Sequence, residues 1–138
     1  RLLKGEAAAA QFVPLYADAP EPEAAIANLT AAIAPNLPIS VLLLGMGADM
    51  HTASLFPGAD RLAEALAPDA PVLVPMRAPG AGEPRVTLSA RVLADAMAIH
   101  ILITGDEKRA AIERARHLPA EEAPVRAVLA NATVHWAA

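Results

Sequence analysis

Two short apolar runs constrain the fold of this chain more than any other feature. The first, Ile39-Ser40-Val41-Leu42-Leu43-Leu44, stops at Gly45, and the second, Ile99-His100-Ile101-Leu102-Ile103-Thr104, stops at Gly105. Each is far too short to span a bilayer. Apolar side chains fall on odd and even positions alike, which is the pattern of a strand covered on both faces in a parallel sheet. Composition points the same way: 55% of residues are hydrophobic but only 3% are aromatic. A core made of Ala, Val, Leu and Ile favours helices packed closely on a sheet over an aromatic-rich β-sandwich. The expected class is α/β, and 138 residues suit a single domain.

The segments between the two runs fill out that class. Residues 7–10 read as a short helix and 12–15 as a short strand or extended segment, followed by an acidic, Pro-rich turn over 18–22. A helix is expected over 23–33, where Ala25, Ile26, Leu29 and Ile33 recur at helical spacing until Pro35 and Pro38 end it. The run at 41–44 is expected to be a central, doubly covered strand. Short helices follow over 51–56, stopped by Pro57 and Gly58, and near 60–66. Residues 72–74 and 85–88 read as strands on either side of a flexible loop over 78–84. Ser89 is placed to cap a helix to about Met97. After the strand at 99–104, Thr104-Gly105-Asp106-Glu107 opens a helix to about His117, and 125–136 give a short helix and a last strand. Alternation of this kind implies βαβ units with right-handed crossovers.

Several function classes are excluded at this level. No cysteine is present, so disulfides, thiolate metal sites and thiol nucleophiles are ruled out, in keeping with a reducing cytoplasm. The net charge of −4, with both signs interspersed, leaves no basic footprint for nucleic acid. The opening Arg1-Leu2-Leu3-Lys4 is interrupted by Gly5 and Glu6 and does not read as a signal peptide. No two histidines show a metalloprotease spacing, and neither Ser54 nor Ser89 sits in a nucleophile elbow. No metal and no cofactor are expected. His100, His117 and His135 read as structural.

Ligands of an open parallel sheet sit beyond the C-terminal ends of its strands, so the loop after residue 44 is the first place to look for chemistry. It reads Gly45-Met46-Gly47-Ala48-Asp49-Met50-His51-Thr52-Ala53-Ser54-Leu55-Phe56-Pro57-Gly58. As a dinucleotide fingerprint it fails, because Met50 stands at the third glycine and Pro57 cuts the following helix short. Two readings then remain. In one, His51 merely packs in a glycine-rich turn. In the other, Asp49 orients the His51 imidazole, which takes a proton from water, while Gly45 and Gly47 admit a substrate and offer backbone N–H groups to an oxyanion. Spacing alone leaves both open.

The whole string resembles the signature of the 6-phosphogluconolactonases, in which the His of an Asp-Gly-His triplet is the proposed base; here Met50 replaces that Gly. Arg85-Val86-Thr87-Leu88-Ser89 resembles the family's Arg-hydrophobic-Thr segment. Ile103-Thr104-Gly105-Asp106-Glu107-Lys108 resembles its Thr-Gly-x-x-Lys segment. The related glucosamine-6-phosphate isomerases share the glycines and the His but continue with Asn-Glu-Pro, where this chain has Ser54-Leu55-Phe56-Pro57. The family's Ser-Gly-Gly phosphate loop and Asp-Glu-Arg segment do not occur here.

The resemblance implies a Rossmann-like, mostly parallel sheet with helices on both faces. It also implies that residues 1–138 form the C-terminal part of a longer lactonase domain whose N-terminal strands are missing. The implied reaction is hydrolysis of 6-phospho-D-glucono-1,5-lactone in the pentose phosphate pathway, in the cytoplasm. His51 would be the base, Asp49 its partner, and Arg85 and Lys108 the phosphate ligands. For Lys108, a cation in a helix's first turn opposes the dipole unless an anion binds there; the other reading is a solvated side chain offset by Asp106 and Glu107, and the resemblance favours the phosphate. The expected partner is a small phosphosugar lactone, with monomer and homodimer both open. The rivals are an aldose–ketose isomerase and a non-catalytic phosphosugar-binding domain.

Overall fold

The apolar runs do become parallel strands. The computed structural model describes residues 3–138; Arg1 and Leu2, the start of the segment weighed above as a signal peptide, lie outside them. Strand β1 (Val41–Gly45) pairs in parallel with β4 (Ala98–Thr104), and β4 pairs in parallel with β5 (Ala132–Ala137). The sheet order is β1-β4-β5, so β4 is central and β1 lies at an edge. Parallel neighbours need crossovers. The first crossover contains α2 (Leu62–Leu66), the strands β2 (Leu73–Met76) and β3 (Arg85–Leu88), and α3 (Ala90–Ala94). The second contains α4 (Asp106–Ala115) and α5 (Arg126–Leu129).

The α/β class and the parallel main sheet are as expected, but three local readings need correction. First, among the described residues β1 is an edge strand covered on one face only. Leu42 and Leu44 are buried, whereas Val41 and Leu43 are 66% and 64% exposed. Leu102 of β4 also faces outward, beside a hydrogen bond between His100 Nδ1 and His135 Nε2 of 3.0 Å. Second, β2 and β3 are not members of the parallel sheet; they form a separate antiparallel pair, Leu73 opposite Leu88 and Met76 opposite Arg85. Their connection runs back through the loop after Met76 without a helix, so no parallel crossover is made. Third, residues 51–56 are not helical. They form a turn closed by a bridge between Thr52 and Leu55, with Ala53 at φ 50°.

Smaller shifts follow the same logic. Residues 12–15 form no strand, and a single 3₁₀ turn at Gly5–Ala7 replaces the short helix read at 7–10. Ser89 stands at the N-cap of α3, but its Oγ makes no hydrogen bond and is buried. The core lies between the inner face of the sheet and the helices. Leu42, Leu44, Ile99, Ile101 and Ile103 from the strands meet Leu29 of α1 (Pro22–Ile33), Ala111 and Ile112 of α4, and Val128 of α5.

One surface clasp ties α1 to the end of β2. Arg77 Nη1 donates to Glu23 at 2.6 Å and Nη2 to Glu21 at 2.6 Å, while Asp60 accepts from the Arg77 backbone N–H at 2.8 Å. The Arg77 hydrogen bond holds the Glu23 carboxyl well below its ordinary value, at about 2. A carboxylate depressed in the folded state stabilises above its unfolded pKa and loses that contribution as pH falls through the folded one. Acid should therefore lower the unfolding temperature between about pH 4.5 and pH 2. Arg77→Ala should flatten part of that decline, as thermal unfolding across this range will show.

Candidate active site

The C-terminal ends of parallel neighbours lie at one edge of a sheet, so the loop after β1 and the start of α4 after β4 come together. The loop is shaped by its own polar groups. Thr52, fully buried, donates its hydroxyl to the Gly45 carbonyl at 2.9 Å. The Gly47 N–H donates to the His51 carbonyl at 3.1 Å, and the Met50 N–H donates to the Gly47 carbonyl at 2.9 Å. The result is a tight loop that turns back over the end of β1.

Within that loop Asp49 meets His51. Asp49 Oδ1 lies 2.5 Å from His51 Nδ1 and also accepts from the His51 backbone N–H at 3.2 Å. An ionised carboxylate can only accept, so in a neutral ring this contact calls for the proton on Nδ1 and leaves the Nε2 lone pair free. That is the tautomer a base needs. Met50, between the two, has φ 66°, and Ala53 is the other non-glycine residue with positive φ among the described residues. A left-handed conformation costs an L-residue about 1 kcal/mol, and such strain gathers at functional sites. It is imposed here by the hydrogen bonds on either side of Met50, whose carbonyl accepts from the Val125 N–H at 3.1 Å.

A cleft of about 440 Å³ opens beside the dyad, lined by Gly45, Gly47, His51, Ala53 and Lys108 among others. Lys108 is the third residue of α4, behind exposed Asp106 and Glu107, and makes no ion pair among the described residues. Lys108 and His51 thus border one space. Arg85 does not line that cleft. It borders a larger one, about 550 Å³, with Ser54, Glu83 and the segment from Leu15 to Pro22. Its guanidinium donates to the Ala81 carbonyl at 3.2 Å.

Of the residues singled out from sequence, the structure therefore gathers Gly45, Gly47, His51 and Lys108, with Asp49 behind the imidazole and Arg85 set apart. Gly47 differs from expectation in one respect: its N–H is engaged by the His51 carbonyl and is not free for an oxyanion. Its role is steric, because a Cβ there would come under 3.0 Å from the His51 ring and from Asp49.

Two residues escaped the sequence reading. Buried Thr87 of β3 accepts a hydrogen bond from the Ser54 N–H at 3.2 Å and so anchors the far end of the site loop. Phe56 stacks on His51. A hydroxyl flanked by Val86 and Leu88 at the inward position of a strand was the available signal for Thr87.

Comparison with known proteins agrees with this architecture. Residues 1–136 match the family described as glucosamine-6-phosphate isomerases/6-phosphogluconolactonase. A 6-phosphogluconolactonase of Rhizobium meliloti is 44% identical, the alignment covering 99% of this chain and 62% of the relative. One from Pseudomonas aeruginosa is 44% identical, covering 98% of this chain and 58% of the relative. The crystal structure of a 6-phosphogluconolactonase from Shewanella baltica superposes with a TM-score of 0.91 at 30% identity, covering 99% of this chain and 61% of that one. The chain thus spans about three fifths of the length of these relatives. With both the sequence match and the shared fold in hand, the chain belongs to the glucosamine-6-phosphate isomerase/6-phosphogluconolactonase family.

Proposed function

We propose that this chain carries the water-activating half of a 6-phosphogluconolactonase site and serves hydrolysis of 6-phospho-D-glucono-1,5-lactone to 6-phosphogluconate in the cytoplasm. The observation that carries the reading is the Asp49–His51 pair at 2.5 Å, opening on a cleft that also holds Lys108. His51 Nε2 takes a proton from water as the water oxygen attacks the lactone carbonyl, and Asp49 holds the resulting imidazolium. The ring C–O bond then breaks and the alkoxide leaving group recovers a proton. A lactone is already electrophilic, so one base and correct placement suffice for the step.

Lys108 supplies the placement. It stands at the positive end of α4, where an anion offsets its conflict with the helix dipole. The substrate phosphate takes that position and lays the lactone ring over the dyad. Arg85, which borders the neighbouring cleft, is the second cation assigned to the phosphate. The names of the relatives favour the lactonase over the isomerase branch.

The test is lactone turnover above the spontaneous rate, followed with phosphorylated and unphosphorylated lactone. Lys108→Ala should raise KM for the phosphorylated substrate by roughly tenfold or more, since a charged hydrogen bond is worth about 1.5–3 kcal/mol. Arg85→Ala should do the same to a smaller degree. Neither change should alter the unphosphorylated reaction. Equal losses on both substrates would assign these side chains to structure instead.

A further inference from the structure

Phe56 is buried, 5% exposed, yet it stands outside the main cluster of packed apolar side chains. Two of the candidate site residues, His51 and Arg85, lie against its ring. The His51 imidazole is stacked on it, ring centroids 4.2 Å apart and planes inclined by 24°. The guanidinium carbon of Arg85 lies 5.7 Å from the same ring centroid. A side chain added at Gly80 would also meet the Phe56 ring, at 3.9 Å. Phe56 lines neither cleft but touches a chemically active residue of each.

We propose that Phe56 is a positioning residue that fixes the His51 ring and couples it to Arg85 across the wall between the two clefts; this rests on the lactonase reading above. One hydrogen bond to Asp49 leaves an imidazole free to swing about the Nδ1–Oδ1 direction. A ring stacked on its face removes that freedom and keeps Nε2 aimed into the cleft. The aromatic face is negative, so it also favours the imidazolium that forms as His51 takes its proton, and attracts the guanidinium. Phosphate capture and base placement then share one support. The backbone holds Phe56 in place, since the Leu55 N–H bonds to Thr52 and the Ala59 N–H to the Phe56 carbonyl.

The experiment compares the parent with Phe56→Leu and Phe56→Tyr in the full protein. The imidazole proton resonances of His51, assigned by their loss in His51→Ala, should lie upfield in the parent from the ring current of Phe56. They should stay there in Phe56→Tyr and move downfield in Phe56→Leu. Lactone kinetics should show kcat lowered by about 10-fold to 100-fold in Phe56→Leu and restored in Phe56→Tyr, the scale expected when a reacting group is misplaced. In a double-mutant cycle with Arg85→Ala, the effects on KM should be non-additive. A parent spectrum without the upfield shift sinks the proposal, even if Phe56→Leu does not fold. So does a Phe56→Leu enzyme that has lost the shift but keeps the parent kcat. A parent with the shift but no lactone turnover overturns the lactonase reading and leaves the spectroscopic result to decide the stacking.

Discussion

On the lactonase reading, replacing His51 by alanine in the full-length protein is expected to cut turnover of the phosphorylated lactone by roughly 10²–10⁴, the usual worth of a general base, while KM changes little. The expectation follows from what the imidazole touches. Its Nδ1 is committed to Asp49 at 2.5 Å, and its ring is stacked on Phe56. Neither contact reaches into the cleft to grip a ligand, so the loss falls on the chemical step rather than on binding. Stability should be nearly unchanged, because the ring is part exposed and Asp49 is exposed. Asp49→Asn should lower kcat as well, because a neutral amide oxygen in place of the carboxylate no longer holds the imidazolium that forms as His51 takes its proton. The spontaneous opening of the lactone must be subtracted at each substrate concentration. Turnover within a few-fold of the parent would remove His51 from the mechanism and leave positioning by Lys108 as the whole catalytic effect.

How far the sequence foretells this site depends on whether the signal is local. Gly45, Gly47, Asp49 and His51 lie within seven positions and follow one strand, so the strand's C-terminal end places them together whatever the rest of the chain does. Lys108 joins them because β4 pairs directly with β1, which two apolar runs in an α/β chain suggest. Arg85 is another matter. Its segment reads as a strand like the others, but among the described residues β3 pairs only with β2, antiparallel, and Arg85 borders a different cleft. Strand periodicity looks identical in the two cases; only the partner differs, and partners are long-range facts.

The site loop shows a different limit. Residues 51–56 have helical propensity in part, but Thr52 binds the Gly45 carbonyl and Ser54 binds Thr87, and those tethers force Ala53 to positive φ. Tertiary hydrogen bonds override local preference here. In β1, apolar residues at every position encode burial on both faces, yet the described residues cover only the face carrying Leu42 and Leu44. The pattern states what the strand requires, not which residues of this chain supply it.

Gly47→Ala should disable the site almost as thoroughly as removing the imidazole, although it adds a single methyl group. At Gly47 the backbone φ is not in the left-handed region, so alanine is allowed by the main chain, and the whole effect comes from the Cβ. That atom would come under 3.0 Å from the His51 ring and 2.5 Å from Asp49 Oδ1. Something must move. The Gly47 backbone cannot easily yield, since its N–H bonds to the His51 carbonyl and its carbonyl accepts from Met50. The imidazole is backed by Phe56. Asp49 is exposed and has the room, so the dyad opens on the carboxylate side and the ring loses the partner that fixes its tautomer. A displacement of about 1 Å at a reacting group costs on the order of 10² in rate, and kcat is expected to fall by that much. The unfolding temperature should stay close to the parent's, because the groups that move lie at the surface. Gly45→Ala is the control: a Cβ there meets nothing within 4 Å, so it should leave the dyad intact although Gly45 lines the same cleft. Should Gly47→Ala turn over the lactone like the parent while Gly45→Ala is impaired, the catalytic role would pass from the Asp49–His51 contact to the backbone at the end of β1.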